Sequence, residues 1–298
     1  MNLYRRYRTL MQIEHFFDPD TSTLTYIVAD MERRQCAVVD TVLDFDPKSG
    51  RTSTKSADSV IARVRELKLE LAWILETHVH ADHLSAAPRI KEQLGGRTAV
   101  GARITDVQIE FAKLFDAGSP FACDGRQFDC LLEDGEVFNI GAIRVRALHT
   151  PGHTPACVTY VMEHNEDRVA FVGDTLFMPD FGTARCDFPG GSASTLYRSI
   201  KRLLALPEST VLYMCHDYQP GGRDLRYSST VAHERQENVH VHDGVSEDEF
   251  VRMRTARDAT LSMPALLLPS VQVNMRAGNF PLPEPNGRRY LKIPIDAI

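Results

Sequence analysis

Residues 71–84 read LAWILETHVHADHL, a run of apolar side chains followed at once by four potential metal ligands. The apolar part is short and bounded, and it predicts a buried strand that ends at an H-x-H-x-D-H cluster. His78 and His80 are two positions apart, so their side chains project from the same side of extended backbone. Imidazole nitrogens and a carboxylate are what a borderline divalent ion binds. The stretch therefore predicts a strand that carries a metal site at its end.

Asp82 and His83 complete the cluster from the turn that opens the next helix, which we expect over roughly residues 85–94. Two glycines follow, and glycine readily takes the left-handed conformation that ends a helix. A polar loop with coincidental histidines would contain the same residues. Four residues that can bind a metal occur within seven positions directly after a strand, and this density favours the metal site over that explanation.

Three further strand-like runs each end at a candidate ligand. Residues 142–148 lead into the turn of His153, residues 168–172 into Asp174, and residues 210–215 into His216. Strand ends are rigid and adjacent in an α/β scaffold, so they can gather a site from distant parts of a sequence. Each of these signals alone is usually structural, but together and in this order they indicate one metal centre.

The series H-x-H-x-D-H, T-P-G-H-T, G-D-T and a terminal histidine resembles the metallo-β-lactamase superfamily. Within that superfamily the chain is similar to the glutathione-persulfide dioxygenases, also called sulfur dioxygenases, from about Met11 to its end. That similarity lies in blocks at residues 173–177, 182–188, 216–218 and 274–278. The resemblance implies an α/β fold in which two mixed sheets are flanked by helices, the αββα sandwich. The alternation of strands and helices alone would allow other α/β layers.

Strand-like runs and amphipathic helices alternate along the chain. We expect strands at residues 25–28, 36–39, 137–140, 143–148, 157–162, 169–172 and 290–295. We expect further helices at residues 59–67, 104–115, 192–206 and 246–261, the last opened by a capping box at Ser246.

Length and composition suit one large hydrophobic core. The chain has 298 residues, of which 43% are hydrophobic, and we expect a single domain over residues 11–298. Residues 1–10 are basic without an apolar signal core, and we expect a disordered extension there. No apolar run approaches the roughly 20 residues of a membrane span.

Charge and cysteine content restrict the partners and the compartment. The net charge of −6 disfavours nucleic acid, which calls for a basic face. The six cysteines form no C-x-x-C pair, which disfavours a disulfide framework or a zinc knuckle and fits a reducing cytoplasm. We therefore expect a cytoplasmic protein with neither nucleic acid nor membrane as partner.

The seven candidate ligands allow two metal arrangements. The resemblance to a binuclear hydrolase would put one ion on His78, His80 and His153 and a second on Asp82, His83 and His216, with Asp174 bridging. In the persulfide dioxygenases one iron is bound by the residues that match His78, His153 and Asp174, a two-histidine, one-carboxylate face with open positions. The other four residues would then orient the ligands. The similar blocks outside the metal loop, which is residues 78–83, favour the single iron.

The resemblance implies a mononuclear Fe(II) enzyme that oxidises glutathione persulfide with O₂ to sulfite and glutathione. The alternative is a binuclear zinc hydrolase of acyl-glutathione thioesters, of the glyoxalase II type. A β-lactamase, a nuclease and a non-enzymatic persulfide-binding or redox-sensing protein are further rivals with less support. The family commonly dimerises, so a homodimer is compatible with the resemblance.

The residues that the resemblance places near the substrate are Arg185, Tyr218, Asn238, His240 and Arg276. Arginine suits a carboxylate of the tripeptide because it can pair with both oxygens. Structural roles are the alternatives: Arg185 could pair with Asp187, and Arg276 could anchor the C-terminal segment.

Overall fold

Two mixed six-stranded sheets form the centre of the computed structural model, which describes residues 11–297. In spatial order the first sheet contains β1 (Met11–Asp18), β2 (Thr23–Asp30), β3 (Gln35–Val39), β6 (Glu70–Leu75), β7 (Arg97–Gly101) and β8 (Cys130–Leu132). The second contains β14 (Ser228–Thr230), β13 (Val211–Tyr213), β12 (Asp167–Phe171), β11 (Val158–His164), β10 (Ile143–His149) and β9 (Val137–Ile140). A short hairpin joins β4 (Asp44–Asp46) to β5 (Arg51–Ser53). The extension expected at residues 1–10 lies outside the described residues.

The inner faces of the two sheets share one buried core. Tyr26 of β2 packs edge-on against Phe171 of β12, with ring centroids 5.1 Å apart. Its hydroxyl donates to the carbonyl of Met214 at 2.6 Å, and the hydroxyl of Tyr160 donates to the carbonyl of Glu76 at 2.9 Å. Both phenols are buried, so these hydrogen bonds avoid the cost of an unpaired polar group. They also join strands of one sheet to loops at the end of the other.

Helices cover both outer faces. They are α1 (Lys55–Glu66), α2 (Ala87–Leu94), α3 (Ile104–Leu114), α4 (Ala193–Leu204), α5 (Val231–Glu237), α6 (Glu247–Asp258) and α7 (Leu267–Asn274). Residues of α1 and α2 pack with the outer side chains of β2, β3 and β6, while α4 and α6 pack with residues of β11 and β12. This is the αββα arrangement, so the expected fold class is confirmed. The capping box of Ser246 and Glu249 is also present.

Two expectations about the C-terminal part of the chain were wrong. Residues 290–295 form no strand; the main chain of Lys292 exchanges two hydrogen bonds of 2.9 Å with the side chain of Gln272 instead of pairing with a neighbouring strand. The helix expected to reach residue 261 ends at Asp258. Strand β1 and helix α7 were not expected. No helix within residues 11–297 is long and apolar enough to cross a membrane.

Candidate metal centre and substrate cavity

The metal loop that follows β6 is buried, and the side-chain amide of Asn274 holds it in place. His78, His80 and His83 are each at most 2% exposed. The side-chain nitrogen of Asn274 donates to the main-chain carbonyls of His80 and His83 at 2.8 and 2.7 Å. Its oxygen accepts from the amide of Ser85 at 2.7 Å. Three hydrogen bonds from one buried side chain therefore fix the path of the metal loop.

Three of the predicted ligands converge on one point. The Nε2 atoms of His78 and His153 lie 3.9 and 3.7 Å from Oδ2 of Asp174, and one ligand atom from each residue lies within 4.8 Å of the others. The other ring nitrogens are occupied, since Nδ1 of His78 pairs with the Thr77 hydroxyl at 3.0 Å and Nδ1 of His153 donates to the Arg185 carbonyl at 2.8 Å. Both imidazoles are thereby oriented with Nε2 towards the shared point.

The candidate ligands include buried atoms without other partners. Among the described residues, Nε2 of His78, at the shared point, and Oδ1 of Asp174, which faces His216, are buried without a hydrogen bond. An unpaired buried polar group costs about 1–3 kcal/mol, and more when it is charged. Burial lowers the pKa of His78 well below its usual value, with further lowering by His80 and His153. A neutral imidazole is the form that binds a metal. The set therefore fits a divalent cation held by two histidines and one carboxylate.

His80 stands outside this group. Its Nε2 lies 3.0 Å from Oδ1 of Asp40 and 3.3 Å from Oε2 of Glu76. Burial opposes protonation of the ring, but the two carboxylates hold the pKa of His80 well above its usual value. Nε2 is thus committed to hydrogen bonding, while Nδ1 is buried without a partner among the described residues.

The remaining candidate ligands lie on the other side of Asp174. Nε2 of His216 is 3.3 Å from Oδ1 of Asp174 and 3.4 Å from Oδ2 of Asp82. Nδ1 of His83 is 3.0 Å from the same oxygen of Asp82, and its Nε2 has no hydrogen bond within residues 11–297. Asp174 thus faces the His78–His153 pair with one oxygen and His216 with the other. Beside the converged group, ligand atoms of His80, Asp82 and His83 also lie within 4.8 Å of one another, as do those of His80, Cys215 and His216, so the residues offer more than one possible metal position.

A cavity of about 450 Å³ opens beside the converged group. His153 and Asp174 line it, and so does an aromatic wall made of Phe177, Phe181 and Tyr218. The ring of Tyr218 stacks on Phe181 at 4.6 Å and meets Phe177 edge-on at 5.6 Å. The Tyr218 hydroxyl makes no hydrogen bond within the described part of the chain, which leaves it available to a ligand.

Two of the five residues expected near the substrate line this cavity, namely Arg185 and Tyr218. Arg185 makes a two-point ion pair with Asp187, both contacts at 2.6 Å, and donates to the Ser262 carbonyl at 2.7 Å. The ion pair with Asp187, given above as the alternative role of Arg185, is therefore present in the structure. Tyr218 remains a cavity residue with a free hydroxyl.

The other three expected substrate residues lie elsewhere. The buried side chain of Asn238 donates to the Gly182 carbonyl at 3.2 Å and to Glu234 at 2.7 Å. The ring of His240 accepts from the amide of Thr183 at 3.1 Å, and burial lowers its pKa to about 4. The guanidinium of Arg276 lies over the ring of Phe121, 4.4 Å from its centroid. In this structure Asn238 and His240 support the segment behind the cavity, whereas Arg276 is away from it.

Asp40 has a role at the centre that was not predicted. It accepts from the amide of Thr77 at 2.7 Å, from the Thr77 hydroxyl and from His80. Its φ of +51° is uncommon for a residue other than glycine, and such strain often occurs at functional sites. Asp40 directly follows the predicted strand at residues 36–39, just as the candidate ligands follow their strands. That position could have indicated from the sequence that Asp40 belongs to the site.

The sequence profile of the metallo-β-lactamase superfamily matches residues 18–216. This chain belongs to the metallo-β-lactamase superfamily. The chain is 63% identical to a probable metallo-hydrolase of Burkholderia pseudomallei, over 97% of this chain and 100% of that protein. It is 50% identical to glyoxylase B2 of Dictyostelium discoideum, over 96% of this chain and 98% of the relative.

Its superfamily relatives include persulfide dioxygenases. The mitochondrial persulfide dioxygenase ETHE1 of Homo sapiens is 31% identical, over 89% of this chain and 88% of that protein. Among solved structures, ETHE1 from Myxococcus xanthus is similar with a TM-score of 0.71 and 29% identity, over 90% of this chain and all of that one.

Proposed function

We propose that this protein is a mononuclear non-haem iron enzyme that oxidises glutathione persulfide. The reaction converts the persulfide, O₂ and water into glutathione, sulfite and two protons. The observation that carries the proposal is the convergence of ligand atoms of His78, His153 and Asp174 on one point, while Nε2 of His80 is held by Asp40. A two-histidine, one-carboxylate face leaves adjacent positions open, as an oxygenase requires. The similarity to ETHE1 along most of the chain supports the same chemistry.

The protein's own contribution is to place and shield the reactants. Iron held by the triad supplies one-electron chemistry between O₂ and sulfur, which no side chain can offer. The Arg185 carbonyl keeps the proton of His153 on Nδ1, so Nε2 stays free to bind metal. Phe177 and Phe181 make one wall of the cavity apolar. The free hydroxyl of Tyr218 can donate to the substrate at this wall.

A binuclear zinc thioesterase of the glyoxalase II type is the second candidate. It is favoured by three buried nitrogens that have no hydrogen bond within residues 11–297: Nδ1 of His80, Nε2 of His83 and Nε2 of His216. The binuclear arrangement would satisfy all three, with His80 on the first cation and His83 and His216 on the second. The name of the Dictyostelium relative points in the same direction.

The two candidates differ in their need for His83. We expect iron-loaded protein to bind one metal ion per chain, and His83→Ala to keep both that ion and most of its oxygen consumption. His153→Ala is the matched variant that should lose both, because it removes a ligand of the triad. Metal content and activity towards glutathione persulfide and an acyl-glutathione thioester are measured on the same samples. Two zinc ions per chain, with thioester hydrolysis that His83→Ala abolishes, would overturn the proposal.

A further inference from the structure

Three arginines line the cavity, namely Arg185, Arg254 and Arg257. An arginine at a cavity wall can recognise an anionic group of a ligand, provided that its charge is not already neutralised by the protein. The three residues differ in this respect.

Arg185 and Arg254 are both neutralised. Arg185 is paired with Asp187 at two points, and its side chain is 10% exposed. Arg254 is 1% exposed, pairs with Asp258 at 2.6 Å and donates to the Thr183 carbonyl at 3.0 Å. Removing either arginine from its carboxylate would leave a buried charge unpaired, which is costly. Neither is therefore free to bind a ligand.

Arg257 is different because it is exposed and makes no ion pair or side-chain hydrogen bond within residues 11–297. It lies one turn along α6 from Arg254, near the end of the helix, at the edge of the cavity. No lysine lines the cavity. Of the acidic residues that do, Asp82 and Asp174 belong to the metal centre, and Asp20 makes no ion pair with Arg257. Arg257 is thus the cation in this cavity that has no carboxylate partner within the described part of the chain.

We propose that Arg257 binds a carboxylate of the substrate and so selects persulfides of acidic thiols over those of neutral thiols. The inference rests on the proposed function for the reaction, and it adds the residue that recognises the organic part of the substrate. Glutathione carries two carboxylates remote from sulfur, and one bidentate contact with a guanidinium would hold it while leaving sulfur at the metal centre. Arg257 has no role in the chemistry itself, so its loss affects binding.

Charge-matched variants on one helix test this assignment. Arg257→Gln removes the free cation, whereas Arg252→Gln removes an exposed positive charge from the same helix away from the cavity. For Arg257→Gln we expect the KM for glutathione persulfide to rise about tenfold with kcat within twofold, the size of effect when a charged hydrogen bond is lost. We expect no change of KM for 2-hydroxyethyl persulfide, which lacks a carboxylate. Arg252→Gln should resemble the wild type with both substrates.

Calorimetry with glutathione itself separates this inference from the proposed reaction, because it requires no turnover. Iron-loaded wild type and Arg252→Gln should bind glutathione equally, and Arg257→Gln about tenfold more weakly. Equal binding by all three proteins, equal weakening in both variants, or no binding by the wild type would overturn the inference. If the wild type consumes no oxygen with any persulfide but shows Arg257-dependent binding, the proposed reaction fails and the role of Arg257 stands.

Discussion

The ring nitrogen Nδ1 of His153 donates to the main-chain carbonyl of Arg185 at 2.8 Å, so a candidate metal ligand is oriented by the backbone of a loop. That loop is fastened to α6. Arg254 donates to the Thr183 carbonyl at 3.0 Å, and Asp258 accepts from the amide of Cys186 at 2.9 Å. The orientation of His153 therefore depends on the buried ion pair between Arg254 and Asp258, which lies far from His153 in the sequence.

Asp258→Asn should weaken both the fold and the metal site. The substitution leaves the buried guanidinium of Arg254 without its charge partner, and breaking a buried pair costs about 3–5 kcal/mol. Loosening the loop should also lower iron affinity roughly 10–100-fold, as for other groups that orient ligands. Denaturant unfolding and iron titration measure the two effects. Asp248→Asn, at an exposed position of the same helix, is the control; unaltered iron affinity in Asp258→Asn would refute the link to His153.

Asn274→Asp should disorder the metal loop although it preserves the shape of the side chain. An ionised carboxylate cannot donate to the carbonyls of His80 and His83, and it would repel them. Two lost hydrogen bonds to buried acceptors cost about 2–5 kcal/mol. We expect a lower melting temperature and reduced iron content. Asn165→Asp, at an exposed turn position whose side chain makes no hydrogen bond within residues 11–297, should leave both quantities unchanged.

Tyr218→Phe should separate catalysis from structure. The variant keeps the stacking on Phe181 and removes only the hydroxyl that is free in the cavity. We expect oxygen consumption with glutathione persulfide to fall about tenfold, the equivalent of one hydrogen bond to a charged group. Iron content and melting temperature should not change. Wild-type activity in Tyr218→Phe would show that the hydroxyl does not contact the substrate.

Glu234 should make the fold less stable as pH rises. Burial raises the pKa of this carboxyl from an ordinary value of 4.5 to about 7. The native state therefore holds a proton that the unfolded chain has released between those values, and stability falls as pH increases through this range. The full effect is about 3 kcal/mol. The stability of Glu234→Gln relative to wild type, measured by denaturation at pH 5 and pH 8, should increase by about 2.5 kcal/mol at the higher pH, because the unfolded carboxyl is already partly deprotonated at pH 5. An equal difference at both pH values would contradict this.

The candidate metal ligands could be picked out from the sequence because each stands where an apolar strand ends. His78, His153, Asp174 and His216 follow β6, β10, β12 and β13, and the short apolar runs locate those strands well. The family resemblance then supplied the order of the layers, which alternation alone leaves open. The ligand positions and the αββα fold are therefore properties of local pattern and motif.

Residues that act through the backbone or through packing were beyond that reasoning. Asn274 lies in the family block at residues 274–278, but that motif does not show that its side chain fixes the metal loop, 194 residues away, through main-chain carbonyls. Arg257 reaches the cavity only because α6 packs beside the loop of Arg185. Conversely, the resemblance places Asn238 and His240 near the substrate, yet Asn238 donates to the Gly182 carbonyl and His240 accepts from the Thr183 amide on the far side of the loop.

The stoichiometry of oxygen consumption tests the central claim most directly. Iron-loaded protein is mixed with a known amount of glutathione persulfide in an oxygen electrode, and sulfite and glutathione are quantified in the same vessel. The proposed function predicts one O₂ consumed and one sulfite and one glutathione formed per persulfide, with no uptake by Asp174→Asn. Persulfide that persists without oxygen uptake, in protein whose triad is fully loaded with iron, would contradict it.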